Sequence, residues 1–188
     1  MSFLVDHRSL ILLGTAITLL SVPFFGVFVG SIRSAMADRQ GSGATLTTAA
    51  VFGWTLLVAT VSVGLLTLSA ITWRGADRFD ASTVQFGYDT STLALYALSA
   101  PAAALAVGAA SVAIIRTRLL PTWIAVLGFA EVGVNLIELL GLTARTGIDA
   151  GGYAAGIGPL LWSAWVVAFA VGLARPTSRD RCRTSGDR

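Results

Sequence analysis

Two carboxylic acids stand where a carboxylic acid is expensive. Glu131 and Glu138 are the only glutamates in the chain, with Asn135 between them, and all three interrupt a run that is otherwise apolar from 121 to 142. Spacings of four, three and seven place them on one face of a helix. Glu131 falls at the middle of the run, and Glu138 lies ~10 Å further along at 1.5 Å per residue. A carboxyl at the centre of a membrane-spanning helix costs ~2.5–3.5 kcal/mol, so such residues face a bundle interior and mark a site. In hydrocarbon the neutral, protonated form costs least.

A second polar row complements the first. Asp89, Thr92, Tyr96 and Ser99 share a face of the preceding run, which must lie antiparallel to the run holding the glutamates. Counted inward from the ends, Tyr96 matches the depth of Asn135 and Glu138, and Ser99 that of Glu131. The arrangement predicts a seam of polar side chains with no arginine inside it. A permanent salt bridge is thereby disfavoured, and a proton-titrating or cation-binding seam is expected. The bland alternative is inert interhelical hydrogen bonding, worth ~0.6 kcal/mol per bond. Asp89, followed by Thr90, also reads as a helix N-cap.

Tryptophans supply the other half of a site. Trp54, Trp162 and Trp165 lie deep in apolar runs, where they either pack the core or wall a lipophilic or cationic ligand. Trp73 and Trp123 lie at the ends of runs, as interfacial anchors do. The expected ligand-binding set is therefore Glu131, Asn135, Glu138, Tyr96, Ser99, Trp162 and Trp165. Three functions compete for it. The first is a binding or transport-accessory protein for a lipophilic or cationic small molecule. The second is an enzyme such as a prenyl or terpenoid cyclase, with Glu131, Glu138 or Asp89 as the catalytic acid and the tryptophans stabilising a carbocation. The third is a structural or regulatory subunit without a ligand.

Other chemistries are removed by what the chain lacks. All thirteen basic residues are arginine, so a lysine nucleophile, a retinal Schiff base and a P-loop are excluded. One cysteine, Cys182, and one histidine, His7, allow neither an intrachain disulfide nor a His-pair metal site. No cofactor and no metal are expected.

The elements that position these residues follow from hydropathy. Of 188 residues, 55% are apolar and 12% charged, about half the charge of a soluble domain, and the mean hydropathy is +0.77. Five runs reach the ~20 residues that a ~30 Å hydrocarbon core demands: 9–32, 44–73, 90–115, 121–142 and 153–174. The fold class is all-α, a polytopic bundle of five spanning helices in one domain (residues 1–174), because an open sheet cannot satisfy its backbone in lipid. The bilayer is the expected partner, and nothing suggests nucleic acid.

Arginine placement sets the expected orientation. Nine arginines fall in the first loop, third loop and tail, against four in the other segments. This puts the N-terminus outside and the C-terminus in the cytoplasm of a cell membrane. Residues 175–188 read as a basic, disordered tail. Ala35-Met36-Ala37 resembles a signal-peptidase site, but the preceding apolar run is longer than a signal peptide needs. Gly26 with Gly30, Gly152 with Gly156, the ridge Ala100, Ala104 and Gly108, and the row Gly53, Thr60, Gly64 and Thr67 predict close helix packing within the chain or between copies in a homo-oligomer. Pro23 and Pro101 predict kinks.

Three passages carry a resemblance: Pro23-Phe24-Phe25-Gly26 leading to Gly30-Ser31-Ile32-Arg33-Ser34; Arg116-Thr117-Arg118-Leu119-Leu120-Pro121-Thr122-Trp123; and Leu127-Gly128. They resemble uncharacterised small multi-pass membrane proteins of actinobacteria, of the domain-of-unknown-function type. Thr122 stands where those proteins often have arginine, and Ile124-Ala125-Val126 replaces their glycine-tryptophan step. The resemblance implies a fold of about five helices in a bacterial membrane, and assigns no catalytic residue.

Overall fold

The structure, a computed structural model, describes residues 2–40, 44–144 and 153–174. It is all-α, with no strand among the described residues. A short α1 (Ser2–Asp6) precedes α2 (Arg8–Gln40) and α3 (Thr45–Arg74). A 3-10 turn, Ala76–Arg78, leads to α4 (Ala81–Thr92), which runs through a π-helical segment, Leu93–Leu98, into α5 (Ser99–Thr117). Then come α6 (Thr122–Ala144) and α7 (Tyr153–Ala174). Among the described residues, five helices are long and apolar enough to cross a membrane: Arg8–Arg39, Thr45–Arg74, Ala81–Thr117, Thr122–Leu140 and Ile157–Ala174. The protein is a multi-pass helical membrane protein.

Several exposed hydroxyl side chains within these apolar helices are satisfied locally, which lets them face hydrocarbon. Thr18 donates to the Gly14 carbonyl at 2.9 Å, Thr55 to Val51 at 2.9 Å and Thr67 to Val63 at 2.8 Å. This bonding to the carbonyl four residues back removes the donor from solvent demand.

The third span is the hub of the bundle. Over its most apolar window 56% of residues are buried, against 6% in α2. Its small residues explain this. Ala102, Ala106, Ala110 and Ala113 are buried, and Gly53 of α3 comes so close that an added Cβ would stand 2.5 Å from the Ala106 nitrogen. Gly64 of α3 likewise meets the Ser91 carbonyl and the Leu95 side chain. Gly108 faces Val132 of α6.

Three expectations need correction. The third span begins at Ala81, nine residues before position 90. Asp80, not Asp89, is its N-cap: its carboxylate accepts from the Thr83 amide at 2.9 Å, from the Thr83 hydroxyl at 2.7 Å and from Ser82. Residues 81–89 lie outside the apolar run, yet Val84, Gly87 and Ser91 supply a buried stripe at helical spacing. Second, α2 continues to Gln40, with Ile32 and Met36 buried in the core; Ala35-Met36-Ala37 is thus part of a core-forming helix. Third, Gly26 and Gly30 have nothing within 4 Å of an added Cβ. They lie on the outside of α2, because the helix packs through Phe25, Phe28, Ile32 and Met36 instead.

Pro101 lies just beyond the π turn. Proline cannot donate to the carbonyl four residues back, and a widened turn upstream is one way a helix absorbs that loss. Helix α2 runs through Pro23 as one element. Trp73 and Trp123 are 70% and 58% exposed at helix ends. Arg8 donates to the Trp73 carbonyl at 2.5 Å and Ser69 to Thr15 at 2.9 Å, tying α2 to α3. Gly152, Arg145, Cys182 and the basic tail lie outside the described residues.

The core fills one half of the bundle. Ile32, Met36, Trp54, Val107, Ile114, Ile124, Trp165 and Phe169 pack together toward the end that carries the turn between α5 and α6. A smaller cluster, Leu4, Ile71, Ala76 and Val84, packs at the opposite end, with Ile11, Leu68 and Phe79 against it.

Candidate functional site

A cavity of about 310 Å³ is bordered by all five spans. Its volume falls at the small end of the range for ligand pockets. One side is polar: Glu131, Asn135 and Glu138 from α6, and Tyr96 and Ser99 from the third span. The rest of the lining mixes apolar and aromatic groups, Phe25 from α2, Leu57 and Val61 from α3 and Trp162 from α7, with the hydroxyls of Thr18, Ser21 and Ser62. No arginine is among the lining residues.

Helix periodicity builds the polar side, and packing isolates it. Glu131 is 2% exposed and its Oε2 has no hydrogen-bond partner. Asn135 is 7% exposed and its Nδ2 donates to the Glu131 backbone carbonyl at 2.9 Å. That bond holds the amide against its own helix. Glu138 is half-buried, and its Oε1 also lacks a partner. It fits because Gly158 of α7 has no side chain: an added Cβ there would stand 2.9 Å from Oε1. Ser99 uses its proton on the Leu95 carbonyl of its own helix. The π turn carries both Leu95 and Tyr96 to the cavity wall.

The aromatic side is two layers deep. Phe25 and Trp162 face the cavity, and Trp54 stands behind both, with ring centroids 4.8 and 4.7 Å away. Trp165 stacks on Trp54 at 5.9 Å and touches Phe169 at 5.0 Å. Trp165 is fully buried and does not border the cavity. Its Nε1 is unpartnered and, like Ser111 Oγ, closes onto Gly128.

The structure brings together six of the seven residues expected to bind: Glu131, Asn135, Glu138, Tyr96, Ser99 and Trp162 line the cavity. Trp165 backs it. Asp89 is elsewhere, exposed on α4 and accepting from Gln85 Nε2 at 2.7 Å. Sequence reasoning missed Thr18, Ser21 and Phe25 on α2 and Gly158 and Pro159 on α7. Spacings of three and four, and a glycine-proline pair inside an apolar run, were their available signals.

Chemically, the lining combines two carboxyl side chains, each with one buried unpartnered oxygen, with two aromatic rings. Such a combination can hold a cation, by carboxylate charge and by ring quadrupole. The same carboxyls can exchange a proton with whatever occupies the space. No family model matches the chain, and no characterised protein or solved structure is significantly similar to it.

Proposed function

We propose that this membrane protein binds a small lipophilic cation, as a binding or transport-accessory protein, within an intramembrane seam formed by Glu131 and Glu138. The observation that carries the reading is that carboxyls and aromatic rings line one cavity. Phe25 and Trp162 share the cavity lining with Glu131 and Glu138, each of which has one buried oxygen without a partner in the fold. A buried polar atom without a partner costs free energy, so its retention calls for a reason outside the fold itself. Inert interhelical bonding does not supply one, because Glu131 Oε2 and Glu138 Oε1 bond to no other helix.

Depth and orientation support the same reading. Glu131 lies nine residues into α6, ~14 Å along the helix axis, which is close to the middle of a bilayer. With nine of thirteen arginines assigned to the cytoplasmic segments, the N-terminus is outside and the cavity occupies the outer half of the membrane.

The test uses the full chain in lipid nanodiscs, with Trp73 and Trp123 changed to Phe so that, of the chain's tryptophans, only Trp54, Trp162 and Trp165 report. N-hexylpyridinium, a lipophilic cation that quenches indole fluorescence, should quench saturably. Hexylbenzene, of similar length and no charge, should not displace it. Quenching that rises linearly without saturation would contradict cation binding.

A further inference from the structure

We infer that the ligand enters the cavity sideways from the hydrocarbon, through a slot between α2 and α7, and that the site is therefore selective for cations that partition into the bilayer. The inference rests on the cation-binding reading above.

On α2, Thr18, Ser21, Phe25 and Phe28 follow one another at spacings of three and four, along the edge that faces α7. At the lower part of this edge the two helices are closed by rings. Phe25 and Trp162 lie 6.4 Å apart and Phe28 and Phe169 6.3 Å apart. Above those rings the edge changes character. Thr18 and Ser21 on α2, and Pro159 on α7, line the cavity and are also exposed on the protein surface. Residues that border an interior space and the exterior at once mark its mouth.

The mouth lies in the apolar belt and away from the bundle ends. Thr18 is ten residues into α2 from Arg8, ~15 Å of helix. The surface beside it is Leu20, Phe24 and Leu160, exposed by 70%, 77% and 71%. The hydroxyls at the mouth are already satisfied by backbone. Thr18 donates to Gly14 at 2.9 Å, Ser21 to Thr18 at 2.6 Å, and Ser163, one turn beyond Pro159, to Pro159 at 2.7 Å. The rim therefore presents no free donor to hold water in place. A hydrated inorganic ion would have to shed its shell in hydrocarbon to reach it, at high cost. An amine or quaternary ammonium with an apolar body crosses the same region at far lower cost. It meets a negative partner only after passing the rim, at Glu138 and Glu131.

The experiment follows association by stopped-flow quenching in the same nanodiscs, with N-butylpyridinium and N-octylpyridinium at equal aqueous concentration. Lateral entry makes the association rate follow the concentration in the bilayer, so the octyl probe should bind at least tenfold faster. Equal rates would overturn the slot. A second measurement places a ring in the mouth: S21F should slow octyl-probe association at least tenfold, and an unchanged rate would overturn the slot as well. Saturable equilibrium quenching with rates independent of chain length removes lateral entry alone. Absence of saturable quenching by either probe removes the cation-binding reading itself.

Discussion

The carboxyl of Glu138 occupies the space that a side chain on Gly158 would take. An added Cβ on Gly158 would stand 2.9 Å from Glu138 Oε1 and 3.8 Å from Val134. The two residues come from neighbouring helices, α6 and α7, so the glycine sets where the acid can point. Because the group in the way is the far end of a flexible side chain, Gly158→Ala should fold normally and push the carboxyl aside. Affinity for N-hexylpyridinium should fall several-fold with thermal stability nearly unchanged, as titration and melting in nanodiscs would show.

Glycines elsewhere separate packing from the site. At Gly53 an added Cβ would meet the Ala106 nitrogen at 2.5 Å and the Ala102 carbonyl at 2.9 Å. Both are backbone atoms of the central span and cannot move aside alone. Gly53→Ala should therefore destabilise by about 1–3 kcal/mol, the usual range for overpacking. Gly26→Ala meets nothing within 4 Å and should leave stability the same or slightly higher, since alanine is the better helix former. Unfolding titrations of both variants would check the pair, and equal losses would contradict the assigned packing.

How far the sequence discloses this architecture depends on the kind of signal. Helices bounded by long apolar runs are legible to within two residues, as at α3, α6 and α7. The start of the third span is not, because Val84, Gly87 and Ser91 make a short stripe that hydropathy averages away and Asp80 is one of several acids nearby. The polar side of the cavity is legible because an acid in an apolar run has few reasons to be there. The α2 wall is not legible, because Thr18, Ser21 and Phe25 are ordinary membrane-helix residues until the partner helix is known. Gly26 and Gly30 show the converse. Their spacing suggests close packing, whereas the larger Phe25, Phe28, Ile32 and Met36 decide which face turns inward.

Asp89 gives a negative control within the seam of candidates. It is exposed on α4 and bonded to Gln85, away from the cavity. Asp89→Asn should keep full probe affinity and normal stability in the same titrations. A loss of affinity comparable to that of a Glu131 variant would contradict the assigned geometry.

Asp80 makes the start of the third span sensitive to acid. Hydrogen bonds from Ser82 and Thr83 hold its carboxyl well below the ordinary value of 3.8. A depressed folded-state value means that the cap contributes fully above the ordinary value and is lost as pH falls through the folded one. The stability difference between wild type and Asp80→Ala should therefore be constant near neutral pH and shrink only below about pH 4. Melting curves of both proteins across that range would show it.

Removing one proton-binding charge while keeping shape is the most direct test of the site. Gln at position 131 preserves the size of Glu and its capacity for hydrogen bonds, but it carries no negative charge at any pH. Because Glu131 Oε2 has no partner in the fold, Glu131→Gln should change stability by less than about 1 kcal/mol, the scale of one hydrogen bond. Titration of N-hexylpyridinium into wild type and Glu131→Gln nanodiscs, from pH 5 to pH 9, is the deciding measurement. Wild type should bind more weakly as acid neutralises the carboxyls, whereas Glu131→Gln should bind at least tenfold more weakly at pH 8 and depend less on pH. Equal affinities and equal pH profiles for the two proteins would contradict a cation site at Glu131.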